Sequence, residues 1–261
     1  METFLLCPPE FFQVDYSINP WMTGVPVDKK EAMSQWDNLV KSIQGCGGSV
    51  KLIDPVSDLP DMVFTANSGI VNEDTCIIST MKHKERKRES LYFQSWFKKN
   101  GYNIVRIAPG LSFEGRGDTL VVQDSLIGGY GYRSDLLALE AATGALGLDL
   151  ISLELSNPRF YHLDTCFCLV SEDRAIYFPE AFKKGEVQKL KGVVDLIPVS
   201  ETDARLFMCN SMLVNDTLLI PSSQSQVERD LKNKYGIKTL LVDVSEFLKS
   251  GGSIQCLCLK L

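Results

Sequence analysis

Cys256 closes the run Ser250-Gly-Gly-Ser-Ile-Gln-Cys256, in which a glycine-rich turn would let the backbone come close to a ligand. A cysteine in such a place is a nucleophile once its thiol ionises, and a neighbouring cation promotes that ionisation. His162 sits two residues before Asp164 in Phe160-Tyr-His-Leu-Asp164. A strand there would put both side chains on one face, a pairing suited to acid–base work. Glu114, in Phe113-Glu-Gly-Arg-Gly-Asp118, adds a second carboxylate. Arg133 follows Gly128-Gly-Tyr-Gly-Tyr132 and could grip a carboxylate with two N–H groups, or simply start a helix. The basic run Lys82–Arg88 reads as the solvated start of a helix, with His83 on the surface.

The spacing of these residues says what must position them. Asn67-Ser68, Asp118-Thr119, Asp164-Thr165 and Asn210-Ser211 each open a β-rich run, and a fifth such run opens at Cys256. The intervals are 51, 46, 46 and 46 residues, which marks an internal repeat. Each unit reads as a strand, a short polar turn such as Asn215-Asp216, a returning strand, a helical stretch and a further strand. Helices are expected over His83–Asn100 and Arg133–Leu146. The fifth unit runs out of chain at Leu261, and Phe4–Cys7 can supply the missing strand. A closed ring of five units leaves no exposed edge and brings Asn67, Asp118, Asp164, Asn210 and Cys256 towards one centre. Acids buried together are costly without a partner, so the centre should take a cation.

Composition narrows the class. The 261 residues are 44% hydrophobic and carry a net charge of −6, which argues against a nucleic-acid binder. No apolar run is long enough to cross a membrane, and the opening Met-Glu-Thr-Phe-Leu-Leu-Cys-Pro-Pro lacks the basic start of a secretory leader. A cytoplasmic location is therefore expected. Eight cysteines in such a chain read mainly as small buried hydrophobes, with Cys166/Cys168 and Cys256/Cys258 each on one face of a strand. Two histidines make a Cys/His metal site improbable. No linker divides the chain, so residues 1–261 are expected to form one domain.

Phe113–Asp118, His162-Leu-Asp164 and Gly251–Cys256 together resemble the signature of the guanidine-modifying superfamily, which contains arginine deiminases, dimethylarginine dimethylaminohydrolases and amidinotransferases. The resemblance spans nearly the whole chain and implies a five-bladed α/β propeller (pentein) of ββαβ units, in agreement with the repeat. It also implies roles. Cys256 would attack the guanidinium carbon and form a covalent thiouronium. His162, supported by Glu114, would protonate the leaving amine and activate water. Asp164 would hold the guanidinium, Arg86 and Arg133 would bind the substrate's α-carboxylate, and neither metal nor organic cofactor would be used. The implied partner is a small guanidino amino acid, and the sequence fixes no oligomeric state.

One position departs from the deiminase and dimethylarginine hydrolase pattern. The segment Asp61-Met-Val-Phe-Thr-Ala-Asn67 ends in Asn where those enzymes carry an aspartate. With the opening Cys7-Pro-Pro-Glu and Tyr16-Ser-Ile-Asn19-Pro-Trp-Met22, this is similar to the arginine dihydrolases, which convert arginine to ornithine, ammonia and carbon dioxide. Asn19 is a second contact implied by that likeness alone. An amide in place of an acid removes a charge and adds an N–H donor that could face a neutral ureido carbonyl. The competing expectations are an enzyme that stops at citrulline, an amidinotransferase, and a non-catalytic binding module on the same fold.

Overall fold

In the computed structural model, which describes residues 1–261, five three-stranded sheets surround a polar axis. The chain opens with strand β1 (Thr3–Leu6), helix α1 (Lys29–Gly45) and strand β2 (Ser49–Leu52). The next blade is β3 (Gly69–Asn72), β4 (Thr75–Ile78), α2 (Glu89–Lys99) and β5 (Asn103–Arg106). Then come β6 (Thr119–Val122), β7 (Ser125–Tyr130), α3 (Leu136–Leu146) and β8 (Asp149–Glu154). The fourth sheet is β9 (Phe167–Leu169), β10 (Arg174–Tyr177) and β11 (Asp195–Pro198). After α4 (Glu201–Arg205), the fifth is β12 (Met212–Val214), β13 (Thr217–Ile220), α5 (Gln226–Tyr235) and β14 (Lys238–Leu241). Helix α6 (Ser245–Leu248) and strand β15 (Leu259–Lys260) end the chain.

Every blade repeats one pairing. An antiparallel hairpin, such as β3–β4, is followed by a parallel partner, such as β5 beside β4. Three hairpins turn in two residues, the first of them left-handed at Glu73, Gln123 and Asn215, and the β9–β10 hairpin takes four. The ring closes as the spacing predicts: β1 pairs antiparallel with β15 and parallel with β2. Thr65 ties this seam from inside, its single hydroxyl proton shared between Leu5 O at 2.7 Å and Leu257 O at 2.9 Å. Apolar side chains such as Phe93, Phe97, Leu139 and Leu231 fill the space between strands and outer helices.

Three expectations are corrected. The repeat-equivalent residues do not open strands. Thr65–Ser68, Gly115–Gly117, Leu163–Thr165 and Met208–Asn210 are short 3₁₀ turns, and Cys256 lies in the turn before β15. His162 therefore precedes a turn and Asp164 lies within it, rather than the two sharing a strand face, and Cys256 and Cys258 are not in a strand. Second, the helices begin late, at Glu89 and Leu136, because residues before them have other duties. Arg86 is buried in a turn, and Ser134 donates through N and Oγ to Asp118. Third, the fourth blade has only a 3₁₀ turn (Glu186–Leu190) where the others carry a helix.

The axis is held by hydrogen bonds that run from one blade to the next. Leu163 N donates to Asp118 Oδ1, Asn210 Nδ2 to Asp164 O, Cys256 N to Asn210 Oδ1, and Ala66 N to Cys256 O. The first three link residues 45 or 46 apart, and the fourth joins the last turn back to the first. A buried bond of this kind contributes about 1 kcal/mol net, and losing one partner costs about 1–3 kcal/mol.

Candidate active site

At one end of the axis lies a small, nearly filled pocket lined by residues that include Asn19, Asp61, Asn67, Arg86, Arg133 and Cys256. Residues 16–22 strap across it. Asn19 donates to Ser250 O at 3.0 Å and Tyr161 Oη at 3.3 Å, and accepts from Trp21 N, so its amide is fully engaged in holding the strap. The strap needs Gly251: its φ is +80°, and a Cβ there would lie 2.9 Å from both Asn19 Oδ1 and Trp21 Cβ.

Cys256 is set by two partners. Its Sγ donates to Asp164 Oδ2 at 3.2 Å and accepts from Asn210 Nδ2 at 3.1 Å. Burial, and then the adjacent Asp164 charge, hold the thiol well above its ordinary value. Burial likewise pushes Asp164 up to about 7, against the pull of its Cys256 bond, Arg116 and Asn210. Asp164 Oδ1 is buried with no hydrogen-bond partner. A buried acceptor left open beside a protonated thiol suits a cationic donor, whose charge would favour ionisation of both groups.

Behind this pair, His162 Nε2 lies 2.7 Å from Glu114 Oε2. Arg133 donates to the same oxygen at 3.0 Å and to Ile18 O at 2.9 Å, with its guanidinium 4.5 Å from the Tyr161 ring centre. Burial alone would raise Glu114, but Arg133 and His162 outweigh it and hold the carboxyl well below the usual range. His83 is half-buried rather than on the surface; burial and Arg133 lower its pKa.

Asn67 completes the floor. Its Oδ1 accepts from Arg86 Nη1 at 2.8 Å, while Nδ2 is buried without a partner. A Cβ on Gly117 would lie 2.2 Å from that nitrogen and 3.5 Å from His162 Cδ2, so only glycine leaves room for the amide beside the histidine. Arg86 also donates to both oxygens of Glu89, at 2.9 and 2.8 Å, and to Asp61 O at 3.1 Å. Four of its N–H groups are thus occupied, which leaves a single Nη1 N–H for an incoming carboxylate.

The structure puts Asn19, Asn67, Arg86, Arg133 and Cys256 on the pocket wall, with Asp164 bonded to Cys256, Glu114 bonded to Arg133 and His162 bonded to Glu114. Asp118 is placed otherwise. Its oxygens are taken by Leu163 N and Ser134. It clamps two blades, and burial raises it to about 6. Three contributors lay outside the expected site. Asn210 shares the repeat and positions Cys256. Asp61 lines the pocket, accepting from Tyr16 Oη at 2.8 Å and Ser250 Oγ at 3.3 Å. Glu89 backs Arg86. A lone acid in the apolar stretch around Pro60–Phe64 was the available signal for Asp61. No three His, Cys, Asp or Glu side chains gather in a way that could hold a metal ion, and no helix is long and apolar enough to cross a membrane.

This arrangement matches known proteins. The model of the family described as N,N dimethylarginine dimethylhydrolase, eukaryotic, matches residues 15–261. The chain is 39% identical to a bifunctional arginine dihydrolase/ornithine cyclodeaminase, ArgZ, of Synechocystis, over 98% of this chain but only 37% of that longer protein. It is 37% identical to a dimethylarginine dimethylaminohydrolase of Mycobacterium tuberculosis, over 99% of this chain and 85% of the relative. The crystal structure of the N-terminal domain of ArgZ, a C264S mutant bound to substrate, superposes with a TM-score of 0.95 at 37% identity, covering 100% of this chain and 98% of that domain.

Proposed function

Because the chain belongs to the dimethylarginine dimethylaminohydrolase family of guanidine-modifying hydrolases, we propose that it hydrolyses arginine twice at Cys256, giving ornithine, two ammonia and carbon dioxide. The guanidinium enters between Cys256 and the open Oδ1 of Asp164. Its charge stabilises the thiolate, and sulfur adds to the guanidinium carbon. His162 gives a proton to the departing ammonia, leaving a thiouronium on Cys256. Glu114 keeps the imidazole in place while it takes a proton from the attacking water. Water replaces sulfur and leaves a citrulline-like ureido group. In the second round sulfur adds to the ureido carbon, a second ammonia departs, and water releases a carbamate that separates into carbon dioxide and the amine of ornithine. Arg133 and the remaining N–H of Arg86 hold the α-carboxylate. Residues 1–261 serve as one catalytic unit, since the N-terminal strand completes the blade that carries Cys256.

The observation that carries the second round is the unpartnered, buried Nδ2 of Asn67. An N–H donor offers nothing to a guanidinium, which is all donors, but it matches a ureido oxygen. The relative from Mycobacterium tuberculosis supports a second reading, hydrolysis of dimethylarginine to citrulline. Purified protein is to be offered arginine, citrulline and dimethylarginine separately. Ornithine from the first two is expected. Citrulline as the end product, or turnover of dimethylarginine alone, would overturn the proposal.

A further inference from the structure

The side chain of Asn67 can sit either way round, because carboxamide oxygen and nitrogen are nearly the same size and the terminal torsion is broadly two-fold. Only one way round leaves a free donor beside His162. Arg86 decides it: a guanidinium has no acceptor, so the atom 2.8 Å from its Nη1 must be the amide oxygen. Arg86 itself cannot swing. Glu89 grips it through Nε and Nη2, Asp61 O takes a further N–H, and the Asp61 carboxylate lies 3.9 Å from Nε. Arg86 and Glu89 are buried, as is Asn67.

We propose that the Arg86–Glu89 pair is a specificity device: it locks the Asn67 amide with Nδ2 towards the substrate and so lets the site act on a ureido group. Glu89 is then a positioning residue, although it does not line the pocket. Arg86 does more than meet a carboxylate. The chain of command runs from Glu89 at the start of α2, through the guanidinium, to an amide beside His162. With the pair broken, the amide is free to turn its oxygen inwards. That oxygen would accept from the guanidinium of arginine but would face the ureido oxygen of citrulline. The first hydrolysis survives and the second fails. This inference rests on the dihydrolase reading and adds a cause to it.

The test uses two substrates that share one α-carboxylate. Glu89→Gln keeps the shape of the side chain, and Arg86→Lys keeps the charge; both are to be measured on arginine and on citrulline, with folding checked by thermal melting. For either variant, kcat/KM on citrulline should fall about tenfold or more beyond any fall on arginine, the effect of one misplaced buried hydrogen bond. Citrulline should also escape during arginine turnover. Equal losses on both substrates, with no citrulline released, would mean that Arg86 serves only the carboxylate and would overturn the proposal. If Arg86→Lys does not fold, Glu89→Gln decides alone. Failure of the underlying reading is distinct, since the unaltered protein would then yield no ornithine from either substrate.

Discussion

Arginine binding should release a proton from Asp164, and the amount follows from the structure. In the free protein burial raises this carboxyl to about 7 from an ordinary 3.8. The groups facing it are Cys256, Asn210 and, at longer range, Arg116. A guanidinium seated on the open Oδ1 would return the carboxyl towards its ordinary value. That span of about three pK units corresponds to roughly 4 kcal/mol. Cys256→Ser removes the thiol as a second proton source and stops turnover. Bound to this variant, arginine should displace about 0.9 proton at pH 6, about half at pH 7 and about 0.1 at pH 8. Its Kd should weaken about tenfold per unit of pH below 7 and be flat above. Glu114 adds nothing, being ionised throughout. Titration calorimetry in two buffers of different protonation enthalpy counts the protons directly. Citrulline, which is neutral, should release almost none. Equal heats in both buffers with arginine at pH 6–7 would refute the reasoning, because Asp164 would then be ionised before the substrate arrives.

Other substitutions test other links. Asn67→Asp should leave arginine consumption in place and move the end product to citrulline; an unchanged ornithine yield would count against the donor role. Gly117→Ala places a methyl 2.2 Å from the Asn67 amide and should depress activity on citrulline more than on arginine, read from the same assay. Asn210→Ala strands Ser253 N, Cys256 N and Asp164 O, which should cost about 3–5 kcal/mol in denaturant unfolding. The free protein should melt higher as pH falls from 8 to 5. Asp118 and Asp164 have raised folded values, so their contribution is present at low pH and is lost as pH rises through about 6 and about 7.

The repeat made the ring legible because blade geometry demands one polar residue at each turn, and a fixed interval survives where side chains differ. Cys256, His162 and Glu114 stood out for the same reason: few residue types do that chemistry, and they fell on or near the repeat. What the chain did not disclose depends on contacts across blades. Asp118 and Asp164 occupy equivalent positions, yet Ser134 and Leu163 N consume one while the other keeps an open oxygen. Local pattern cannot tell those apart. Arg86 sat in a run of solvated cations, and only the buried Glu89 and Asn67 beside it turn it inwards. The missing helix of the fourth blade likewise left no gap in the spacing, since a 3₁₀ turn spans the same stretch.

The claim that one site attacks arginine twice is tested most directly by a single turnover with protein in excess over arginine, quenched at intervals and resolved by chromatography. The account predicts that citrulline rises transiently and decays, ending in ornithine with two ammonia for each arginine. Citrulline that climbs to one equivalent and stays, with one ammonia, would contradict it.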